Sequence, residues 1–234
     1  MKKLLILAMA LLVCGALQAQ GSKEKVNPKS FLAFHAGPSI PIGDFYNSDY
    51  DNADAGFARI GFNPNLTYGY QFAKNFGLTA SIFFNKNKLD NIAIQEAMEA
   101  VFEVEPGSFK GLKLDHWKWY GVTVGPALIY NFTPYVAGDI RIMAGIVNAN
   151  TPAITFQGET LAGEDWSVAM PLQAGADLRI GIGKNKNTFI FVNIDYLYMK
   201  PKFNVDSDLD ELVSETFKQK ISVINLTGGL GIRF

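Results

Sequence analysis

Residues 57–72 alternate from end to end, and no other feature of the chain narrows its fold as far. Ala58, Ile60, Phe62, Pro64, Leu66, Tyr68, Tyr70 and Phe72 share one face, while Arg59, Gly61, Asn63, Asn65, Thr67, Gly69 and Gln71 share the other. A period of two held this long is a β-strand with one face in an apolar phase and the other in a polar one.

The pattern recurs at residues 32–40, 78–85, 120–132, 136–146, 168–182, 190–198 and 221–234, which makes eight segments in all. In the last, Ile224, Leu226, Leu230, Ile232 and Phe234 oppose Asn225, Thr227, Gly229, Gly231 and Arg233. Short connections at 73–75, 133–134 and 184–187 alternate with long ones at 42–56, 87–116, 149–166 and 202–219. Charged residues make up 18% of the chain, below the roughly 25% of soluble domains, and aromatics 13%. The expected fold is all-β: an eight-stranded antiparallel transmembrane barrel, an up-and-down meander with both ends on the short-turn side and short helical segments in its extracellular loops. Of prolines 38, 64, 126 and 171, all but Pro171 fall on the lipid face, and bulges or rim positions can accommodate them.

Lys2 and Lys3, the apolar run at 4–17 and a cut after Ala19 read as a signal peptide over residues 1–19. The run is shorter than the roughly 20 apolar residues of a spanning helix. The one cysteine, Cys14, lies within it behind Val13, which is not the small residue a lipoprotein signal requires. Residues 20–30 form a short N-terminal segment and 31–234 the barrel domain. With net charge −1 and scattered lysines, no nucleic-acid partner is expected.

Energy decides which face looks inward. Arg59, Asp139, Arg141, Asp177, Arg179, Asp195 and Arg233 all fall on the polar faces, and a one-residue slip would turn every one toward lipid. An arginine at the bilayer midplane costs about 2–4 kcal/mol. The charges therefore point into the lumen, which in an eight-stranded barrel is only wide enough for side chains to fill. Counting from the short turns sets Asp139 level with Arg179 and Arg141 level with Asp177, with Asp195 on the next strand. An ion-pair network is expected there, as a satisfied plug or, alternatively, as the lining of a gated polar path.

Residues 37–45 (GPSIPIGDF), 56–62 (GFARIGF), 70–78 (YQFAKNFGL) and the Phe234 terminus resemble the outer-membrane β-barrel family of Bacteroidota described as porin-family or PorT-like. The resemblance covers nearly the whole mature chain. It implies an eight-stranded barrel in the cell outer membrane, inserted by the barrel-assembly machinery, which reads the last strand and Phe234 as an assembly signal. It implies no activity.

The residues themselves offer little chemistry. His35 lies mid-strand facing inward, and His116 lies at the outer rim, where its neighbour Asp115 is expected to point the other way. A lipid-modifying enzyme would bring a His, a Ser and a carboxylate together, and no Gly-x-Ser-x-Gly elbow is present. Asp206, Asp208, Asp210 and Glu211 start like a calcium loop but lack its sixth-position Gly and twelfth-position Glu. No enzyme activity, cofactor or metal is expected. In loop 2, Ile94, Met98, Val101 and Phe102 form a helical stripe behind an Asp90 cap, and Leu209, Leu212, Val213 and Phe217 a shorter one in loop 4. The two stripes would pack on each other above the mouth or present an apolar face to an extracellular ligand at loops 2 and 4. Trp117, Trp119, Tyr120, Tyr196 and Tyr198 are expected in an outer aromatic girdle, and Tyr68, Tyr70, Tyr130, Phe132 and Phe234 in an inner one. The reading is a monomeric barrel in outer-membrane lipid with a filled lumen, structural or interactive at the cell surface. The alternatives are a narrow porin-like solute channel and a lipid-modifying enzyme.

Overall fold

The computed structural model describes residues 29–183, 187–205 and 215–234. The signal peptide, Cys14, the acidic run at 206–211 and most of the loop 4 stripe lie outside them. Eight long strands form the barrel wall: β1 (Lys29–Pro41), β2 (Ala58–Gln71), β3 (Phe76–Leu89), β4 (Trp117–Asn131), β5 (Val136–Asn150), β6 (Leu172–Ile182), β7 (Thr188–Met199) and β8 (Ile221–Arg233). Each pairs antiparallel with the next, and β8 pairs with β1 from Phe31↔Arg233 to Pro41↔Val223, so the sheet closes. Pro171, with no N–H to donate, interrupts β6. Beyond it a short strand, Trp166–Ala169, carries the pairing on against residues 147–150 of β5.

The alternation sorts the side chains as expected: Ile142, Val168 and Met170 are 67%, 71% and 76% exposed, and Thr67, Ser81 and Thr123 are buried. The outer surface is a continuous apolar band, which only a membrane covers.

In the barrel wall two side-chain placements differ from the sequence reading. A bulge between Ala58 and Gly61, where β2 pairs with β3, resets the parity. Ala58, expected on the lipid face, is buried, and Arg59 is carried out of the lumen to the long-loop rim. Trp117 and Trp119, expected in the outer girdle, are buried inside the barrel; Tyr120 and Tyr196 do face outward.

The long connections carry structure of their own. In loop 1 a 3-10 turn, Gly43–Phe45, drops Phe45 into the barrel mouth. Loop 2 holds the helix α1 (Asn91–Val101), whose N-cap Asp90 accepts a hydrogen bond from the Ala93 N–H. A three-stranded sheet of Lys113–Leu114, Ile154–Phe156 and Glu159–Ala162 ties loop 2 to loop 3. In loop 4, Lys202–Val205 pairs with Glu215–Lys218. Phe217, expected on a helical stripe, belongs to this hairpin, its ring tilted against Phe203 at 5.4 Å.

Candidate functional site

The lumen is the one place where all eight strands bring polar side chains together, and it is filled in three tiers. At the short-turn end Phe31, Phe189 and Phe191 make an aromatic floor, with Phe31 edge-on to Phe189 at 5.9 Å. The floor fits because Gly69 faces it: a Cβ there would stand 2.0 Å from the Phe31 ring.

The middle tier is ionic. Asp139 on β5 lies directly opposite Asp177 on β6, and Arg141 and Arg179 sit on diagonal positions above and below them. Arg141 donates from Nη1 to Asp139 and to Asp177, both at 2.9 Å. Arg179 Nη2 donates to Asp139 at 3.2 Å, and its Nε lies 3.2 Å from Asp177 Oδ1, paired in charge but poorly aligned for a hydrogen bond. The Arg179 guanidinium also covers the Phe31 ring at 4.4 Å. The level pairing expected from the turn count is thus offset, because the strands are staggered; long arginines reach the diagonal neighbours instead.

From this quartet hydrogen bonds continue around the wall. Arg141 donates to Asn193, Asn193 donates to Asp195 at 2.7 Å, and Gln173 donates to Asp195 at 2.6 Å. Asn225 also donates to Asp195, while Asn85 reaches Asn225 and Ser39. His35 holds Thr227 at 2.7 Å and Thr67 at 2.9 Å, so both ring nitrogens are engaged.

Of the charged residues expected in the lumen, Asp139, Arg141, Asp177 and Arg179 therefore meet directly, and Asp195 joins through amides. Arg233 lies half-buried at the short-turn mouth, where it helps line a cavity of about 10 Å³ with Phe31, Gln71, Ile129 and Arg179. That is room for about one water molecule. Arg59 takes no part: it pairs with Asp90, donates to Ser48 at 2.9 Å and stacks over Tyr46 at 4.6 Å.

The third tier closes the long-loop end. Phe45 meets Trp117 at 5.6 Å and Trp119 at 5.9 Å, and Trp117 Nε1 donates to the Gly56 carbonyl at 2.9 Å. Phe203, Leu197, Met199, Ile221 and Val223 complete this apolar cap. Sequence reasoning missed the cap, although Trp117 and Trp119 share the inward parity of Thr123. Lys220 clamps loop 1 beside it, donating to Asp54 at 2.6 Å and Asp44 at 2.9 Å. The bond to Asp54, then that to Asp44, raises the Lys220 pKa, and the bond from Lys220 lowers that of Asp54.

Outside the barrel, α1 buries none of its residues. Ile92, Val101 and Phe102 are 69%, 67% and 62% exposed, while Ile94 and Met98 are half-buried. Phe102 touches only the edge of a small loop cluster, 5.8 Å from Phe109, which lies 5.3 Å from Phe156. His116 does meet Asp115, at 3.2 Å, because the two lie in irregular chain ahead of β4, where strand alternation does not yet apply. Among the described residues no group of three or more His, Cys, Asp or Glu side chains converges as a metal site.

No family model matches the sequence, and no curated protein does. Solved structures do. A major outer membrane protein from Thermus thermophilus is 10% identical, with 89% of this chain and 100% of that one covered and a TM-score of 0.53. Neisserial surface protein A is 11% identical over 89% and 99%, at TM-score 0.49. Ail, the attachment invasion locus protein of Yersinia pestis, is 17% identical over 88% and 98%, at 0.48. At such identities the likeness is one of fold. The chain is an eight-stranded β-barrel of the outer-membrane kind, and its lipid-facing band agrees with residence in that membrane.

Proposed function

We propose that the protein is a monomeric, non-enzymatic barrel of the cell envelope that works through its surface loops, with the lumen serving as a structural plug. One observation carries the reading: the lumen is packed in three tiers, while Val101, Phe102 and Val104, grouped at the C-terminal end of α1, are exposed. An exposed apolar patch on a protein otherwise sealed in this way marks an interaction site. Short turns on one side and long loops on the other support a position of α1 outside the cell. The resemblance of residues 37–45 and 56–62 to the porin-family barrels of Bacteroidota supports the reading.

The deciding experiment reconstitutes the folded protein in planar bilayers and, separately, tests loop 2 on intact cells. No steady conductance is expected, and protease added outside should cut loop 2 near Lys110 but spare the turn at Lys74. A stable ion current would replace this reading with the channel, and cleavage confined to the Lys74 turn would invert the orientation.

A further inference from the structure

The outward face of β3 runs Leu78, Ala80, Ile82, Phe84, Lys86, Lys88 toward the long-loop end, so it turns from apolar to cationic within one strand. The change occurs at the edge of the lipid band. Phe84 lies directly opposite Tyr120 on β4, and the Trp166 ring meets Tyr120 tilted, at 5.9 Å, which makes an interfacial aromatic row. One step above it, Lys86 faces Phe62 on β2 and Lys118 on β4.

Like charges directly opposite in an antiparallel pair repel. Lys118 is paired with Asp115 and with Glu164 at 3.0 Å, so its own charge is more than balanced within that cluster. Lys86 and Lys88 are exposed and make neither an ion pair nor a side-chain hydrogen bond to any described residue. The nearby Arg59–Asp90 pair is internally neutral and supplies no counter-charge. Lys86 and Lys88 thus stand as two ammonium groups without an ion-pair partner among the described residues, immediately above the aromatic row.

We propose that Lys86 and Lys88 bind the phosphate-bearing head group of an outer-leaflet lipid whose acyl chains lie over Ile82, Phe84 and Tyr120. The ammonium groups donate to phosphate oxygens, and the apolar part of the strand receives the chains. A soluble phosphate would satisfy the lysines but not the apolar surface beneath them, so the lipid is the ligand.

The test uses the full folded barrel in nanodiscs that mix phosphatidylcholine with phosphatidylglycerol, with retained lipid counted by native mass spectrometry. Wild-type protein should retain phosphatidylglycerol preferentially. Lys86→Gln/Lys88→Gln should lower that preference roughly thirtyfold, from the usual contribution of two cations near an anionic surface. The loop 2 control Lys110→Gln/Lys113→Gln should leave it unchanged. Unboiled-gel mobility confirms that each variant is folded. A preference that survives the Lys86/Lys88 change, or falls equally in the loop control, overturns the proposal. Competition by millimolar inorganic phosphate would overturn the lipid assignment in favour of a soluble anion.

Discussion

Asp139 and Asp177 face each other directly across β5 and β6, and each is bound by both Arg141 and Arg179. Two carboxylates in register repel, and burial deprives them of water. The arrangement holds only because the arginines reach in from opposite diagonals, so the four groups act as a unit.

Removing one arginine therefore leaves two carboxylates facing each other with a single counter-charge. Breaking a buried pair costs about 3–5 kcal/mol. Arg179→Ala should lower the temperature at which the heat-modified gel band appears by far more than Ile180→Ala, which trims a partly lipid-facing side chain. Equal effects would show that the quartet contributes nothing particular.

Gly69 is a sharper probe of the floor. A Cβ there would meet the Phe31 ring at 2.0 Å, in a tier already packed with Phe189 and Phe191. Gly69→Ala should destabilise by about 1–3 kcal/mol, the usual penalty of overpacking. Gly69→Ala/Phe31→Leu should recover part of it in the same thermal assay.

Phe45 separates cap from plug. Phe45→Ala should cost about 3–5 kcal/mol if the cap is fully coupled to the barrel, and less if loop 1 merely lifts away. In neither case should current flow, because the ionic tier below is intact. Planar-bilayer recording of the variant checks this, and a steady conductance would place the seal in the cap alone.

The Lys220 clamp sets a pH window for loop 1. Asp54 is lowered, so its contribution is complete above the ordinary carboxylate range and is lost as pH falls through the lowered value. Lys220 is raised, so its contribution is complete below the ordinary lysine range and is lost as pH rises through the raised value. Amide hydrogen exchange in residues 44–56, corrected for its intrinsic pH dependence, should be slowest between those limits and faster at acid pH. Both groups are exposed, so the midpoint of global unfolding should barely move.

Phe234→Ala should reduce the amount of barrel inserted but spare the heat resistance of what does insert. The strand end is closed by its backbone, with Phe234 N–H donating to Ser30 at 2.9 Å and Ser30 N–H to Phe234 at 3.0 Å, while the ring is 68% exposed. Quantitative blotting of membranes beside unboiled gels reads both effects. Normal insertion with poor heat resistance would assign the ring a packing role.

The wall of the barrel was legible because a residue's side of a strand is a local property, carried by parity alone. Arg59 departs from its parity because the bulge between Ala58 and Gly61 shifts the strand without a mark that alternation can register. The Asp139–Asp177 register was misjudged because depth counted from turns ignores the stagger between β5 and β6. Trp117 and Trp119 resemble girdle anchors by residue type, whereas their parity with Thr123 points inward. The hairpin holding Phe217 depends on Phe203 across the loop, and such pairings leave no periodic trace.

The sheet that joins loop 2 to loop 3 has a practical bearing. Its last hairpin turns at Gln157 and Gly158, both at positive φ, and its outer strand, Glu159–Ala162, is exposed along its length. Just beyond, a side chain added at Gly163 would meet nothing within 4 Å. A foreign peptide grafted at Gly163 would be displayed on a braced platform set apart from the lumen, and an epitope tag there would report surface exposure without touching the tiers that hold the barrel together.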